Sequence, residues 1–251
     1  MISNYQRLVN NLSYLRLEEM NNHLDETIDY INKNDVSFVD GLIKLTGYQI
    51  DLKEKNMMNA MIKVANFPFL KEMKDFDFDY QESINKKMIM DFLDHRFIAN
   101  CENIVFLGTS GVGKTHLSTS IGISAAKKSI STYFIKCHDL IQNLKKAKLE
   151  NRLDVRLKHY CGYKLLIIDE IGYLPIDKED SKLFFQLIDK RYEKKSTIFT
   201  TNINFSNWDE VFLDPVLANA ILDRVLHHAH VINITGNSYR LKDYYGESET
   251  S

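Results

Sequence analysis

Cysteine and proline are both scarce in this chain of 251 residues, which contains three of each. With 44% hydrophobic and 26% charged residues, so little proline excludes a disordered or fibrous protein and favours a helix-rich globular fold. The three cysteines, Cys101, Cys137 and Cys161, are odd in number and widely spaced. A disulfide framework or a zinc site of the CxxC type is therefore not expected, and we predict that all three are small buried apolar side chains.

Long apolar runs and an excess of one charge are missing too. No apolar stretch approaches the ~18 residues that cross a membrane, and residues 1–7 lack the apolar run of a signal peptide, so we expect a cytoplasmic protein without a membrane partner. The formal net charge of −2 provides no overall field that would attract nucleic acid. Any contact with DNA or RNA must therefore depend on a local basic surface.

The spacing of apolar residues predicts a small helical domain at residues 1–75. Apolar side chains recur mostly every three or four positions over residues 1–33, which predicts one or two amphipathic helices. The members are Leu8, Leu12, Leu15, Met20, Leu24, Ile28 and Ile31. Residues 37–40 have the spacing of a capping box and open a second helical region. Aromatic residues alternate with aspartates over residues 75–80, which predicts an extended connector.

A different pattern begins at residue 76, where short β-rich runs alternate with helical stretches. Such alternation predicts an α/β fold, with a parallel five-stranded sheet flanked by helices on both faces. The five runs lie at residues 104–107, 132–135, 165–168, 197–200 and 230–234.

The glycine-rich segment GTSGVGKT follows the first run and precedes a helical stretch, which is the context that a phosphate-binding P-loop requires. Glycines let successive backbone N–H groups turn toward one anion, and the helix N-terminus adds partial positive charge. We expect Lys114 to contact the β and γ phosphates of ATP, and Thr115 to bind Mg²⁺. The alternative is a glycine-rich turn that binds nothing. The predicted nucleotide-binding residues are Gly108, Thr109, Ser110, Gly111, Val112, Gly113, Lys114, Thr115 and His116.

Two carboxylates, Asp169 and Glu170, end the apolar run at 165–168. Because ligands gather at the carboxyl ends of parallel strands, we expect Asp169 to hold Mg²⁺ beside the nucleotide, and Glu170 to polarise the water that attacks the γ phosphate. Asn202 follows the next run and is placed to orient the same water. The alternatives are two acids that merely end a strand and the asparagine of a loop turn.

Six further segments are specific enough to indicate relatives. They are IIDEIGYLP (167–175), LFFQLI (183–188), RYE (191–193), TTN (200–202), LDRVLHHAHVI (222–232) and SYRL (238–241). With the P-loop, they make residues 75–245 similar to the IstB family, the ATPase helper proteins of bacterial insertion-sequence transposition, which are related to DnaC helicase loaders and to DnaA within the AAA+ class. LSYLRLEEM at 12–20 also resembles the start of IstB proteins. The resemblance implies a P-loop AAA+ ATPase domain at 76–251, preceded by a helical partner-binding domain at 1–75.

The resemblance also implies roles for three polar residues. Asn202 matches the sensor-1 residue, and Arg224 matches the arginine finger that reaches the ATP of a neighbouring subunit, which places the ATP sites at the interfaces of a homo-oligomer. Arg240 resembles the sensor-2 arginine of DnaC-like proteins and is counted with the nucleotide-binding residues. For Arg224 and Arg240, the alternative is a surface arginine without nucleotide contact.

The family's substrate polymer is DNA, and one basic segment is a candidate for binding it. Lys145, Lys148, Arg152 and Arg156 recur at spacings of three, four and four, which forms one ridge if the segment is a single helix. An adjacent ridge of leucines, beginning at Leu149, would pack on the domain. We expect the four charges to contact phosphates of double-stranded DNA without reading bases. A solvated helix face is the alternative.

The segment HHAH at 227–230 has the composition of a metal motif. It has no companion ligands nearby in the sequence, and it belongs to one of the segments that resemble IstB proteins. We therefore predict that these histidines serve structural packing.

The leading hypothesis is an ATP-dependent DNA-binding ATPase that assembles on DNA and recruits or stimulates a transposase. The alternative is a DnaC-type loader of a replicative helicase, with a nearly identical ATPase site and a helical domain that binds the helicase. A P-loop kinase for a small metabolite is a third hypothesis. It is disfavoured, because Asp169, Glu170, Asn202 and Arg224 fit ATP hydrolysis at a subunit boundary.

Overall fold

The computed structural model describes residues 2–174 and 176–242, which group into two compact units divided between Ala60 and Met61. The division by contacts precedes the boundary near residue 75 that the sequence pattern indicated. Residues 65–75 lie with the second unit because the Ala65 carbonyl accepts a hydrogen bond from Phe134 N and Met73 is part of that unit's core. Pro175 and residues 243–251, which fall within the expected second domain, lie outside the described residues.

The first unit is helical, as predicted, but its first 34 residues form three helices rather than one or two. The helices are α1 (Asn4–Tyr14), α2 (Glu18–Asn22), α3 (Leu24–Asn34) and α4 (Phe38–Val64), and the division between the units falls within α4. Helix α1 ends because Arg16 adopts a left-handed conformation with φ 56°, which no α-helix continues through. Half of the predicted capping box is confirmed, since Asp40 N donates to Ser37 Oγ at 3.2 Å, while the Asp40 carboxylate accepts from the Ser37 hydroxyl at 2.6 Å.

A small apolar core holds the first unit together. Leu12, Met20, Leu24 and Leu45 are buried against one another. Other members of the predicted apolar stripe remain exposed, including Leu15. The stripe therefore identifies the inward face of the helices without ensuring that every member is covered.

The second unit contains the predicted parallel sheet. Its strands are β1 (Asn103–Gly108), β2 (Thr132–Lys136), β3 (Leu165–Ile171), β4 (Ser196–Thr201) and β5 (Ala229–Ile234), in the order β2-β3-β4-β1-β5. Each of the four strand pairings is parallel. All five predicted runs are confirmed as strands, since β-branched and apolar side chains fill a sheet that is covered on both faces.

Helices cover both faces of this sheet, which also confirms the prediction. Successive side chains of a strand point to opposite faces, so Ile104 and Ile167 lie in one core while Val105 and Leu166 lie in the other. The first core is closed by α5 (Lys86–Asp91), α6 (Arg96–Ala99) and α7 (Lys114–Lys127). The second core is closed by α8 (Cys137–Leu149), α9 (Leu153–Gly162), α10 (Lys178–Arg191), α11 (Trp208–Phe212) and α12 (Pro215–Leu226).

The connector before α5 is not extended, contrary to the sequence expectation. A 3₁₀ turn spans Met73–Asp75, and turns occupy residues 78–80. The Asp77 carboxylate accepts a hydrogen bond from Tyr80 N at 3.1 Å, which closes the backbone into a turn. Phe76 and Phe78 nevertheless pack against the same core, so their apolar character was interpreted correctly.

The expectation that all three cysteines are buried has a mixed outcome. Cys137 is buried, and burial raises the pKa of its thiol to about 12, but Cys101 and Cys161 are partly exposed. No helix in residues 2–174 and 176–242 has the length and apolar character needed to cross a membrane.

Candidate nucleotide-binding site

The glycine-rich segment forms a tight loop between β1 and α7, with Lys114 as the first residue of the helix. Gly111 and Gly113 have φ values of 83° and 98°, a left-handed conformation that glycine adopts without a steric penalty. A Cβ atom at Gly113 would lie 2.5 Å from the Phe76 ring, so a side chain there would also clash. The loop thus has the curled backbone that directs successive N–H groups toward an anion at the N-terminus of α7.

Lys114 folds back over this loop. Its Nζ donates to the carbonyl oxygens of Gly108 and Thr109, both at 2.7 Å. Burial lowers the pKa of Lys114, and the positive charge of Arg240 contributes in the same direction. A partly desolvated ammonium held at the mouth of the loop fits the binding of phosphate oxygens, which would replace the two carbonyls as hydrogen-bond acceptors.

Thr115 and Asp169 meet between the start of α7 and the end of β3. The Thr115 hydroxyl lies 3.0 and 3.1 Å from the two carboxylate oxygens of Asp169, which is 1% exposed. Burial raises the pKa of Asp169, and hydrogen bonds from Thr200 and Thr115 oppose that rise. A hydroxyl and a carboxylate are the oxygen ligands that Mg²⁺ prefers, so the pair fits that ion chemically.

Glu170 is set apart from Asp169 by an irregularity in the strand. The pairing of β3 with β4 shifts register between Ile168 and Ile171, and Glu170 has a φ of 61°. Such a bulge re-aims side chains at the end of a strand. The Glu170 carboxylate is half-buried and forms an ion pair with Lys136 at 3.0 Å. The two acids therefore have different surroundings, with Asp169 buried and Glu170 facing outward.

The sequence reasoning missed two residues that contact the acidic pair, Lys136 and Thr200. Lys136 is the last residue of β2, directly opposite Asp169 in the sheet. The buried Thr200 hydroxyl donates to Asp169 Oδ1 at 2.6 Å and accepts from Glu170 N at 2.9 Å, so it connects both acids. The sequence signal that could have identified them is their position at the carboxyl ends of two predicted strands.

Asn202 and His116 lie beside this group without joining its hydrogen bonds. Asn202 is exposed in a bend directly after β4, at the same edge of the sheet as Asp169. His116 faces the connector, where its Nε2 lies 3.2 Å from the Glu72 carbonyl and its ring meets the Phe76 ring edge-on at 5.3 Å. Their nucleotide contacts remain predictions.

Arg240 is brought to the phosphate loop by the segment that follows β5. In the 3₁₀ turn Tyr239–Leu241, Tyr239 N donates to the Gly111 carbonyl at 3.0 Å. The connector before α5 also binds this segment. Tyr80 Oη donates to the Ser238 carbonyl at 3.3 Å, and Asp77 forms an ion pair with Lys242 at 2.8 Å. The contact between Tyr239 and Gly111 holds Arg240 beside the phosphate loop, where its positive charge helps to lower the pKa of Lys114.

Arg224 lies elsewhere, on α12 against α10. Its Nε donates to Asp189 Oδ1 at 2.7 Å, Nη1 donates to the Ala220 carbonyl at 3.1 Å, and the guanidinium lies 4.7 Å from the centre of the Phe185 ring. The side chain is 27% exposed. Among the described residues, none of its polar contacts involves the phosphate loop.

The four basic residues expected to form one ridge belong to two helices. Helix α8 ends at Leu149 and α9 begins at Leu153, so the condition of a single helix is not met. Asn151, with φ 55°, makes the break, and Arg152 N closes the turn by donating to the Ala147 carbonyl. Of the predicted leucine ridge, Leu149 is 79% exposed, whereas Leu157 is buried and Leu153 packs against the same core.

Carboxylates neutralise three of these basic side chains. Lys145 contacts Asp180 at 3.1 Å, Lys148 contacts Glu179 at 3.3 Å, and Arg152 pairs with its neighbour Glu150. Arg156 has no ion pair within the part of the chain that the structure describes. The surface is therefore less basic than the spacing of the residues suggested.

The sheet order, the phosphate loop between β1 and α7, and the buried acid at the end of β3 define a nucleotide-binding domain of the AAA+ class. Solved structures of that class share this fold. The AMPPCP-bound DnaA of Aquifex aeolicus matches 74% of this chain and 57% of its own, with a TM-score of 0.57 and 18% identity. The DnaC helicase loader matches 68% of this chain and 97% of its own, with a TM-score of 0.54 and 24% identity.

The chain belongs to the family of IstB-like ATP binding proteins, whose model matches residues 10–246. The "Insertion sequence IS232 putative ATP-binding protein" of Bacillus thuringiensis subsp. berliner is 65% identical over 98% of this chain and 99% of its own. The corresponding IS21 protein of Pseudomonas aeruginosa is 39% identical over 92% of this chain and 88% of its own. Membership confirms the resemblance that the sequence segments indicated.

Proposed function

We propose that this protein is an ATPase that assembles on double-stranded DNA with ATP and recruits or stimulates a transposase. The observation that carries the enzymatic part is the continuous set of hydrogen bonds from Thr115 through Asp169 and Thr200 to Glu170, at the carboxyl edge of the sheet beside the phosphate loop. The insertion-sequence origin of its relatives supports a role in transposition.

The chemistry is hydrolysis of the γ phosphoryl group of ATP. Backbone N–H groups of residues 108–113 and the ammonium of Lys114 bind the phosphates, while Arg240 adds positive charge beside them. Thr115 and Asp169 would hold Mg²⁺, which when bound neutralises charge on the β and γ phosphates.

Proton transfer is assigned to the outer acid of the pair. The carboxylate of Glu170 accepts a proton from the attacking water as the new oxygen–phosphorus bond forms, and the bond from the γ phosphorus to the bridging oxygen breaks, leaving ADP and phosphate. Asn202, at the same edge of the sheet, orients that water. Lys136 fixes the direction of the Glu170 carboxylate through their ion pair.

Arg224 serves a neighbouring subunit in this proposal. Its contacts with Asp189 and Ala220 use Nε and Nη1 and hold the guanidinium at the surface of α12. A fixed guanidinium at the surface is suited to reach the γ phosphate of another chain, so that ATP occupancy and homo-oligomer assembly depend on each other. The match to the arginine finger of the family supports this assignment.

DNA binding is assigned to Lys145, Lys148, Arg152 and Arg156, with Arg156 contributing most because it has no ion pair among the described residues. The other three must exchange a carboxylate for a DNA phosphate. Contacts of this kind bind all sequences and weaken steeply with salt. Reversal of all four residues to glutamate should weaken binding and flatten its salt dependence, and an unchanged salt slope would locate the DNA surface elsewhere.

Two variants test the ATPase assignment. Lys114→Ala should lose nucleotide binding, because the cation that offsets the phosphate charge is gone, whereas Glu170→Gln should bind ATP and hydrolyse it far more slowly. Nucleotide affinity and phosphate release are measured separately for each. Normal turnover by Glu170→Gln would remove Glu170 from its catalytic role.

A mixture of two inactive variants tests the arrangement of subunits. Arg224→Ala should bind nucleotide as an isolated subunit and lose most hydrolysis, since arginine fingers contribute roughly 10³–10⁵ in rate. Combined with Lys114→Ala, it can form an interface in which an intact P-loop meets an intact arginine, and activity should partly return. Mixed oligomers without activity would contradict action across the interface.

The identity of the partner is tested with the full chain as bait. Capture of a transposase encoded by the same insertion sequence is expected, and it should depend on the helical unit that ends near Ala60. Capture of a replicative helicase instead would favour a DnaC-type loader.

A further inference from the structure

Three metal-binding side chains converge where α10 and α12 end. His227 Nδ1 lies 3.7 Å from Glu193 Oε1, and His228 Nε2 lies 3.6 Å from the same oxygen. One ligand atom from each of the three residues falls within 4.8 Å of the other two. The sequence expectation of packed histidines is met only in part for this pair. The two ring centroids lie 3.9 Å apart, but the side chains of His227 and His228 are 48% and 54% exposed.

The fold supplies the companion ligand that the sequence segment lacked. Glu193 follows α10, and its left-handed backbone, with φ 55°, starts the turn that leads to β4. His227 caps the C-terminus of α12, and His228 leads into β5. Two chain segments far apart in sequence therefore meet at this point, where no linear motif could reveal a site.

The two helix ends and Glu193 favour a cation, whereas two lysines beside Glu193 oppose it. The C-terminal ends of α10 and α12 carry partial negative charge on their last carbonyl groups, and Glu193 adds a full one. Arg224 is the nearest opposing charge on α12, and its ion pair with Asp189 largely offsets it. Lys194 and Lys195 follow Glu193 in sequence and form no ion pair within the described residues.

We propose that Glu193, His227 and His228 bind a divalent transition-metal ion of the Zn²⁺ class, with one ligand atom each. Tetrahedral zinc with bonds of about 2.0–2.2 Å separates its ligand atoms by about 3.4 Å, so the two distances to Glu193 need to shorten by only a few tenths of an ångström. Two imidazoles and one carboxylate suit zinc, copper or nickel rather than Mg²⁺. The remaining coordination positions face solvent, and the site does not depend on the proposed ATPase activity.

Tyr192 is the neighbour that must adjust. Its hydroxyl lies 2.6 Å from His227 Nδ1, the nitrogen that the metal would take. Burial raises the pKa of Tyr192, and the negative charge of the nearby Glu193 carboxylate adds to the rise. On metal binding the hydroxyl therefore turns to donate to Glu193, where it orients the carboxylate as outer partners of metal ligands do.

The test measures Zn²⁺ binding to the full-length chain without a histidine tag. Titration calorimetry with a zinc salt, in the presence of excess Mg²⁺, is run on the wild type and on His227→Gln, His228→Gln and Glu193→Gln. Co²⁺ provides an absorption signal for coordination geometry. We expect one high-affinity Zn²⁺ per chain, weakened at least about tenfold in each variant, since loss even of an outer partner weakens metal binding by 10–100-fold.

Two other histidines serve as matched controls. His230 belongs to the same HHAH segment but pairs with Glu102 at 2.9 Å, and His138 is an exposed histidine of α8. His230→Gln and His138→Gln should bind Zn²⁺ as the wild type does. The proposal is overturned if the wild type binds no more tightly than the three ligand variants, or if the controls lose as much affinity. Circular dichroism identifies any variant that does not fold, and the remaining ligand variants then decide the outcome.

Discussion

Replacing Thr200 by valine should disrupt the candidate site without changing its shape. Threonine and valine have nearly the same volume, but valine cannot donate to Asp169 Oδ1 or accept from Glu170 N, which Thr200 does at 2.6 and 2.9 Å. Thr200 is fully buried, so water does not replace the lost partner. The substitution therefore isolates the value of one hydroxyl that connects two acids.

The magnitude follows from the kinds of hydrogen bond that are lost. A bond to a charged acceptor contributes roughly 1.5–3 kcal/mol, and an unsatisfied buried N–H costs about 1–3 kcal/mol, so Thr200→Val should reduce the free energy of unfolding by about 3 kcal/mol or somewhat more. The pKa of Asp169 should rise further, because Thr200 stabilises its charged form. Retention of Mg²⁺ and hydrolysis of ATP should fall by about 10–100-fold, as for other outer partners of a metal ligand.

Urea denaturation and phosphate release measure the two effects. The decrease in the free energy of unfolding caused by Thr200→Val should have its full size above the raised pKa of Asp169. It should shrink as the pH falls through that pKa, because the protonated acid no longer needs a hydrogen-bond donor. Thr200→Ser keeps the hydroxyl and should restore most activity. Thr201→Val is the matched control, since the Thr201 hydroxyl bonds only backbone groups of Ile171 and Ile203. Equal losses of hydrolysis in Thr200→Val and Thr201→Val would refute the role of Thr200.

Three further predictions concern other ionisable groups. Lys136→Met should lower basal hydrolysis by about twofold to fivefold with unchanged ATP affinity, because the Glu170 carboxylate loses the half-exposed ion pair that fixes its direction. Lys136→Arg keeps the positive charge and should hydrolyse ATP nearly as the wild type does. An unchanged rate in Lys136→Met would contradict this role. Asp189→Asn should leave nucleotide binding intact and lower ATP hydrolysis by the assembled protein about twofold to fivefold, because Arg224 loses its ion pair with Asp189. Equal rates of hydrolysis in the variant and the wild type would show that this contact is incidental. His95 is 5% exposed, and burial lowers its pKa to about 4, so the folded state prefers the neutral ring. The free energy of unfolding should therefore fall by roughly 3 kcal/mol as the pH is lowered from 6.5 to 4. His95→Asn tolerates the left-handed backbone there and should flatten that part of the pH profile in chemical denaturation; an equally steep profile would exclude His95 as its source.

The sheet could be predicted from sequence because its strands are covered on both faces. Ile167 and Leu166 point into opposite cores, and only a continuous apolar run satisfies both. A continuous apolar run does not reveal which residues of neighbouring strands lie opposite each other. Lys136 and Thr200 became visible as partners of the acidic pair only when the pairing of β2, β3 and β4 was known.

The predictions of helix and strand failed where a single polar residue ends an element that the periodic pattern would continue. The spacing of basic residues over 145–156 is helical, yet Asn151 takes a left-handed conformation and ends α8 there. Asparagine is a common residue just beyond a helix C-terminus, so the signal was present in the sequence. The connector was mistaken for the same reason, because the Asp77 side chain closes a turn within an alternating pattern.

The phosphate loop is completed by residues from two distant parts of its unit, and this determines when the site can form. Asp77 and Lys242 are 165 positions apart in sequence, and Ser238 and Tyr239 contact Gly111. Contacts between such distant residues form late in folding, because a long stretch of chain must first be ordered. On the ribosome, the loop at residues 108–115 emerges well before residues 238–242. Nucleotide binding at a complete site is therefore a property that a growing chain gains only after the segment following β5 has been made.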